Sequence, residues 1–490
     1  MTQHPPESGA SVAAVADRGP RSPTAATDFL DKLVRIVGSA HVLTDADQLE
    51  GALVEPRGLY RGSARALVRP ADTAQVSAVV AACAEARTPI TPQGGNTGLV
   101  GGQIPIGPEI VLSLKRLNRV REVDPLADSL IVEAGVTLAE AQAAADAADR
   151  LFPLSLPSEG TCTIGGNLST NAGGVAVLAY GNARELATGV EVVLPDGRVV
   201  DVLSKLRKDN TGYDLKDLFI GAEGTLGIIT AAALKLFAKP KSRETAFVGL
   251  ASPERALALF RSARETFGGG VVSFELLPRI ALDFVLRHAR GARDPLAGPH
   301  PWYVLVELTS QVAVGLSEPM TEWLAEAAER GLIDDAAIAA SGEQRAAFWL
   351  LRESISEVQG FEGGSIKHDV SVPLGAVPDF LTEASAAVAR RTPSARVVAF
   401  GHMGDGNIHF NVSQPIGADK QTFLADWEGM NEVVHDVVAK YQGSFSAEHG
   451  IGRLKRDLLL RKKNPVALDV MRAIKATLDP LGIMNPGKVL

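Results

Sequence analysis

Three stretches that mix glycine with hydroxyl and amide side chains restrict this chain more than any other feature: residues 93–102 (QGGNTGLVGG), 157–174 (PSEGTCTIGGNLSTNAGG) and 221–230 (GAEGTLGIIT). The first cannot sit inside a helix or strand and must be a loop, because glycine adds backbone entropy and offers no side chain to pack. Ordinary connections are short and need few glycines, so three such stretches point to one built polar surface. In the first, successive N–H groups stand free of Cβ atoms, as close approach of a pyrophosphate requires. It is neither a Walker loop, which needs Gly-Lys-Ser/Thr, nor the GxGxxG dinucleotide turn. Taken singly, a structural glycine turn explains it equally well. The second stretch suits a flat polar ring system, and the third carries the same chemistry into a strand.

Around these loops helices and strands are mixed. Residues from Ala71 read as a capped helix, with Asp72 or Thr73 as N-cap and Pro89 past its end. Strands are predicted at 88–92, 110–114, 129–133, 190–194 and 199–203, the last two joined by the turn Pro195-Asp196-Gly197-Arg198. Helical patterns recur at 139–150, 253–266, 317–330 and 376–391, with strands of a second sheet at 303–308 and 395–400. The charged run 205–216 reads as a solvated loop.

A chain of 490 residues buries a large core without help from disulfides. Its two cysteines, Cys83 and Cys162, fit neither a disulfide framework nor a CxxC metal site, which makes a reducing cytoplasm the expected compartment. A net charge of −8 and 5% aromatic residues argue against nucleic acid as a partner. No run of 18 apolar residues offers a membrane span, and residues 1–28 lack the greasy centre of a signal peptide and read as a flexible tail.

A second constellation, Gly401-His402-Met403-Gly404-Asp405-Gly406-Asn407-Ile408-His409, follows an apolar strand. Its Gly-Asp-Gly turn can fold the strand back so that both imidazoles face one point. Two histidines alone are more often unrelated. The stretch Ser446-Ala447-Glu448-His449-Gly450-Ile451-Gly452-Arg453 supplies a carboxylate as the missing third ligand, leaving positions open for the carboxylate and hydroxyl oxygens of a 2-hydroxy acid. A hydroxyl held there becomes more acidic, and His449 can take its proton. An isolated Glu-His pair would instead read as a helix cap and a surface imidazole.

In order and spacing the three glycine stretches resemble the FAD-binding domain of the vanillyl-alcohol oxidase and p-cresol methylhydroxylase superfamily. The two histidine motifs and the terminal Asn485-Pro486-Gly487-Lys488 are similar to those of the FAD-linked D-2-hydroxy acid dehydrogenases, which act on D-lactate, glycolate or D-2-hydroxyglutarate; the likeness runs from about residue 50 to the end. It implies an α+β chain: a two-subdomain FAD-binding domain (29–241), an α+β cap domain with a central antiparallel sheet that binds substrate and metal (242–445), and a segment returning to the FAD domain (446–490). For FAD it implies Gly94, Gly95, Asn96, Thr97 and Gly98 around the pyrophosphate. Gly166, Asn167, Thr170, Asn171 and Gly173 would lie beside the isoalloxazine and ribityl chain, and Glu223, Gly227 and Ile228 near the adenosine half. Pro92, Pro157, Gly160, Thr163 and Asn485 complete the expected cofactor contacts. Residues 84–103 contain no His or Cys, the residues through which several relatives attach flavin, so non-covalent FAD is expected.

The same resemblance implies His402, His409 and Glu448 as ligands of a divalent metal, zinc with manganese or cobalt as alternatives, and His449 as the catalytic base. Arg352, Ser356 and Lys367 look like the D-2-hydroxyglutarate branch, where a distal carboxylate needs a second cationic clamp; Ser356 stands where the family usually has Thr. Read alone, Arg352 also fits a helix-surface ion pair with Glu353 or Glu357, and Lys367 a solvated loop position. Asn411 is expected on a substrate carboxylate. The implied reaction is oxidation of D-2-hydroxyglutarate to 2-oxoglutarate, with hydride passing from Cα to flavin N5. Alternatives are D-lactate, D-malate or glycolate as substrate and, in another class, an FAD-binding electron-transfer subunit. The implied redox acceptor is an electron-transfer flavoprotein, a quinone or a cytochrome, and a homodimer is compatible with all of this.

Overall fold

The computed structural model describes residues 23–490, with side chains from Asp28 onward. Residues 1–22 of the expected tail lie outside the described residues, and its last residues open a helix over Pro23–Val37.

Three main sheets organise the chain. In the first the order is Val42–Leu43, Ala64–Val68, Glu109–Ser113 and Ile90–Gln93, the last three parallel. Ile110, Val111 and Leu112 are fully buried, the all-apolar signature of a parallel strand covered on both faces. The crossover is the helix Thr73–Glu85, whose N-cap Asp72 accepts a hydrogen bond from Gln75 N–H at 2.8 Å. It delivers the chain to Ile90–Gln93, which runs straight into the first glycine stretch. The second sheet is antiparallel throughout, in the order Val120–Asp124, Ser129–Glu133, Ile228–Lys235, Ala187–Val193 and Val199–Val202.

The third sheet has eight strands, all antiparallel: Asp335–Ile338, Ser242–Leu250, Trp302–Ser310, Val271–Pro278, Arg396–His402, Asn407–Ser413 and Ser365–Ile366, with Asp369–Ser371 also on Asn407–Ser413. Side chains alternate across it. Ala246, Val248 and Leu250 pack with Leu259, Phe380 and Val434 from the helices Pro253–Phe267, Val377–Arg391 and Trp427–Lys440. Phe247, between them, packs on the other face with Leu282, Phe284, Phe348 and Leu351 from Arg279–His288 and Gly342–Glu353. With both faces covered, Val271–Pro278 is buried at every position, including Glu275.

The end of the chain comes back to the first sheet. Ile90 N–H donates to Ile483 and Asn485 N–H donates to Ile90 O, both at 2.8 Å, while Arg453 and Leu454 donate to Val100 O in the first glycine stretch. The helices expected at 139–150, 253–266, 317–330 and 376–391 are observed at Leu138–Ala147, Pro253–Phe267, Ser317–Glu329 and Val377–Arg391. Among the described residues no helix is long and apolar enough to cross a membrane.

Candidate active site

The three glycine stretches meet around one cavity of about 840 Å³, its open mouth included. Pro92 lines it from the strand before the first stretch, Gly94, Gly95, Asn96, Thr97 and Gly98 from that stretch, Thr163, Gly166, Asn167 and Thr170 from the second, and Glu223, Gly227 and Ile228 from the third, together with Asn485 and His449. Four expected contacts lie off this wall. Pro157 and Gly160 are exposed. Asn171 ends the helix Ile164–Thr170 in the left-handed conformation, its Oδ1 accepting from Arg184 N–H at 2.9 Å. Gly173 faces the other half of the site: a Cβ there would stand 3.1 Å from Glu448 Oε2.

Two features fit this cavity to a dinucleotide cofactor. A Cβ at Gly94 or Gly95 would collide with Thr163 Oγ1 or the Thr161 carbonyl, so the first two stretches meet backbone to backbone and leave peptide groups, not side chains, to form this part of the wall. Asn96 Oδ1 and Asn485 Oδ1 are buried without partners, although their amide N–H groups donate to Gly51, Val54, Gly102 and Glu223 carbonyls. Acceptors left open beside a cavity are what a ligand carrying donors would satisfy. The Glu223 carboxylate is engaged elsewhere, accepting from Ile451 N–H and Gly452 N–H at 2.7 Å each. Burial raises its pKa against the pull of those two donors.

On the far side the fold assembles the histidine constellation. The hairpin of Arg396–His402 and Asn407–Ser413 turns through Met403–Asp405 and Gly406, whose φ of 79° only glycine adopts freely, and sets the His402 and His409 rings 5.5 Å apart. Asp369, His409, Glu448 and His449 offer ligand atoms that all lie within 4.8 Å of one another. His409 Nε2 is 3.7 Å and His449 Nε2 3.8 Å from Glu448 Oε1, and the His409 and His449 rings stack at 6.1 Å. His402 stands beside this cluster rather than within it.

Strand register places Glu275 directly across from His402. Its carboxylate accepts from Arg352 Nε at 2.7 Å and meets His402 Nδ1 at 2.7 Å. Burial works against both charges and is outweighed by their pairing: Glu275 falls to about 2 and His402 rises to about 9. His409 goes the other way, driven well below the usual imidazole range by burial, with His402 and Arg352 adding to the effect. It is therefore the neutral imidazole a metal prefers. Asp369 is 3% exposed and accepts from the backbone N–H groups of Glu448 (3.0 Å) and His449 (2.9 Å) and from Asn407 Nδ2 (3.0 Å). Burial would raise its carboxyl, but His449 and Lys455 hold it far below the carboxylate range.

The residues expected to hold substrate divide. Arg352, 7% exposed, makes no pair with Glu353 or Glu357; its guanidinium is bound to Glu275 and lies 4.9 Å over the Phe400 ring. Lys367 opens onto solvent and donates to the Ser356 carbonyl at 3.0 Å. The protein atoms crowded around it, then the Arg57 guanidinium, lower its ammonium below the usual lysine range. Asn411 donates to Gln359 Oε1 at 2.7 Å, and the Gln359 amide nitrogen is buried without a partner. Glu275 and Asp369 escaped the sequence reading. A lone carboxylate in the apolar run 271–278 was the signal for Glu275, and Asp369 lay unremarked in the stretch that carries Lys367.

A glycine-walled dinucleotide cavity facing a buried histidine and carboxylate cluster defines an FAD-linked oxidoreductase, and the comparisons agree. Residues 64–203 match the family described as FAD binding domain, and residues 239–489 match FAD linked oxidases, C-terminal domain. The D-2-hydroxyglutarate dehydrogenase, mitochondrial, of Arabidopsis thaliana is 35% identical over 98% of this chain and 85% of its own length. The Bos taurus protein of the same name is 39% identical over 94% and 83%. The solved structure of p-cresol methylhydroxylase with substrate bound superposes with a TM-score of 0.75 over 96% of this chain and 97% of its own, at 19% identity, and so shares the fold. The chain belongs to the FAD-linked D-2-hydroxy acid dehydrogenase family. The expectation of a cytoplasmic compartment is corrected, because both relatives are named mitochondrial. Free cysteines mark any reducing compartment, and a mitochondrial transit peptide is amphipathic and basic rather than greasy, so neither criterion separates cytoplasm from matrix.

Proposed function

We propose that the chain oxidises D-2-hydroxyglutarate to 2-oxoglutarate, using non-covalent FAD and one divalent metal, zinc in the first instance, held by His402, His409 and Glu448. The observation that carries this reading is His449, which lines the flavin cavity and also belongs to the ligand cluster, so a proton acceptor stands where the two halves of the site meet. Asp369 belongs to that cluster too, but three N–H donors already occupy it. His402, with Nδ1 on Glu275, would ligate through Nε2 once a metal displaced the proton there, and the Glu275 contact would orient its ring. When bound, the flavin supplies the two-electron acceptor and the metal supplies Lewis acidity toward the substrate hydroxyl.

The remaining work falls to the protein. His449 takes the hydroxyl proton, Asn411 holds a carboxylate oxygen, and Arg352, Ser356 and Lys367 clamp the distal carboxylate. The relatives named D-2-hydroxyglutarate dehydrogenase support this substrate over D-lactate, D-malate or glycolate. The test is an anaerobic stopped-flow screen of flavin bleaching against those four acids and their L-forms where they exist. D-2-hydroxyglutarate is expected to bleach fastest, with activity lost to EDTA and restored by zinc, manganese or cobalt. Faster bleaching by D-lactate, or full turnover after exhaustive chelation, overturns the reading.

A further inference from the structure

The segment that carries Glu448 and His449 has little regular structure of its own, yet its backbone is gripped at two adjacent places. From the eight-stranded sheet, Asp369 Oδ2 accepts from the N–H groups of Glu448 and His449 at 3.0 and 2.9 Å. From the flavin side, Glu223 Oε1 and Oε2 accept from Ile451 N–H and Gly452 N–H at 2.7 Å each. Between them Gly450 has φ +84°, and a Cβ there would press to 2.8 Å from Glu223 Oε1. We propose that Asp369 and Glu223 are paired positioning residues, two carboxylates that suspend residues 448–452 between the halves of the molecule and thereby set Glu448 and His449 against the flavin cavity.

Each carboxylate is itself fixed. Asp369 lies in strand register opposite His409, and its Oδ1 accepts from Asn407 Nδ2 at 3.0 Å. Glu223 donates its N–H to Ser169 O and accepts on its own carbonyl from Asn485 Nδ2, each at 2.8 Å. The segment also carries its own counter-charge: Lys455 Nζ is 3.8 Å from Asp369 Oδ2 and donates to Ser446 Oγ at 3.1 Å. Hydrogen bonds from N–H to a carboxylate are roughly twice as strong as neutral ones, and four of them fall on these five residues. Asp369 has a further task. Its Oδ2 lies 3.5 Å from His449 Nδ1, and a carboxylate charge there favours a hydrogen on Nδ1, which leaves the Nε2 lone pair to take a proton.

This inference rests on His449 being the proton acceptor, and the experiment separates the two claims. In the FAD- and metal-loaded protein, E223Q sets an amide N–H₂ against the N–H of Ile451 or Gly452, and D369N sets one against either Asn407 Nδ2 or the paired N–H groups of Glu448 and His449, and both remove the charge that the remaining bonds rely on. Each is expected to lower kcat by about 100-fold with KM within about threefold, since the loss is one of placement. Amide hydrogen exchange of the 446–455 peptide should rise in both while metal content stays at the wild-type value, and D369E should restore part of kcat. Unchanged exchange overturns the proposal, as does metal lost from D369N with exchange unaltered, which would make Asp369 a ligand. Should D369N fail to fold, E223Q reads the same suspension from its other end. Full turnover in H449A would refute the base assignment while the exchange result still stood or fell by itself.

Discussion

At Gly94 and Gly95 the flavin cavity is bounded by backbone with no room for a methyl group, whereas the opposing half of the site is built from charge: Glu275, His402, Arg352 and Asp369 are 1%, 6%, 7% and 3% exposed. One side is defined by space, the other by pairing. A wall of backbone fails when atoms are added to it. A buried charge cluster fails when a partner is taken away, because each ion left alone carries a desolvation cost of several kcal/mol. The two halves should therefore respond to opposite kinds of substitution.

The largest expected effect is Gly95→Ala, which drives a methyl into the Thr161 carbonyl, a backbone atom unable to move without parting two loops. The purified variant should carry no flavin absorbance and no activity, while Gly107→Ala, where an added Cβ meets nothing within 4 Å, should stay yellow. Full flavin content in Gly95→Ala would break the contrast. On the charged side Glu275→Gln adds no atoms, yet it strands Arg352 and His402. Denaturant unfolding should show a loss of about 3–5 kcal/mol, and metal titration a 10- to 100-fold weaker affinity, with flavin content unchanged. Lys367→Ala should cost roughly 10- to 100-fold in kcat/KM for D-2-hydroxyglutarate and far less for D-lactate, which has no distal carboxylate to pair. Equal losses on the two substrates would remove Lys367 from the clamp.

The same division governs what could be read from the sequence. Loops defined by space announce themselves, since glycine at 94, 95 and 98 has few other uses, and the turn at Gly197 (φ 89°) and the cap at Asp72 follow from local chemistry. Charge pairing is set by strand register over long separations. Glu275 meets His402 from 127 residues away and Arg352 from 77, so a local reading of Arg352 looked to Glu353 and Glu357 and found the wrong partner. Asp369 escaped for the same reason, because its donors at 448 and 449 lie 79 and 80 residues further along the chain. The helices Arg279–His288 and Trp427–Lys440 bury Leu282 and Val285, and Met430, Val434 and Val437, at helical spacing, a pattern present in the sequence and absent from the predicted elements.

A smaller effect sharpens the comparison through pH. Beneath the eight-stranded sheet His368 and His435, 3% and 7% exposed, meet edge to face with ring centroids 5.5 Å apart. His368 Nδ1 bonds the Phe410 carbonyl at 2.7 Å and its ring also meets the Asn431 side chain, while His435 Nδ1 has no partner. Burial lowers His368 to about 4 and His435 to about 3, the latter helped by His368. Above pH 6.5 both are neutral whether folded or unfolded and cost nothing. As pH falls below 6.5 the unfolded chain takes up two protons that the folded chain refuses, so stability drops, by roughly 4 kcal/mol for the pair at pH 5. Glu223 on the flavin side has the opposite sign: its folded pKa is raised, so acid relieves a buried charge there. His435→Phe, which sets a ring beside Phe445 and removes one of the two protons, should halve the pair's contribution. Between pH 7 and pH 5 the Tm of the wild type should fall more steeply than that of the variant; parallel curves would mean that the two imidazoles do not stand neutral in the fold.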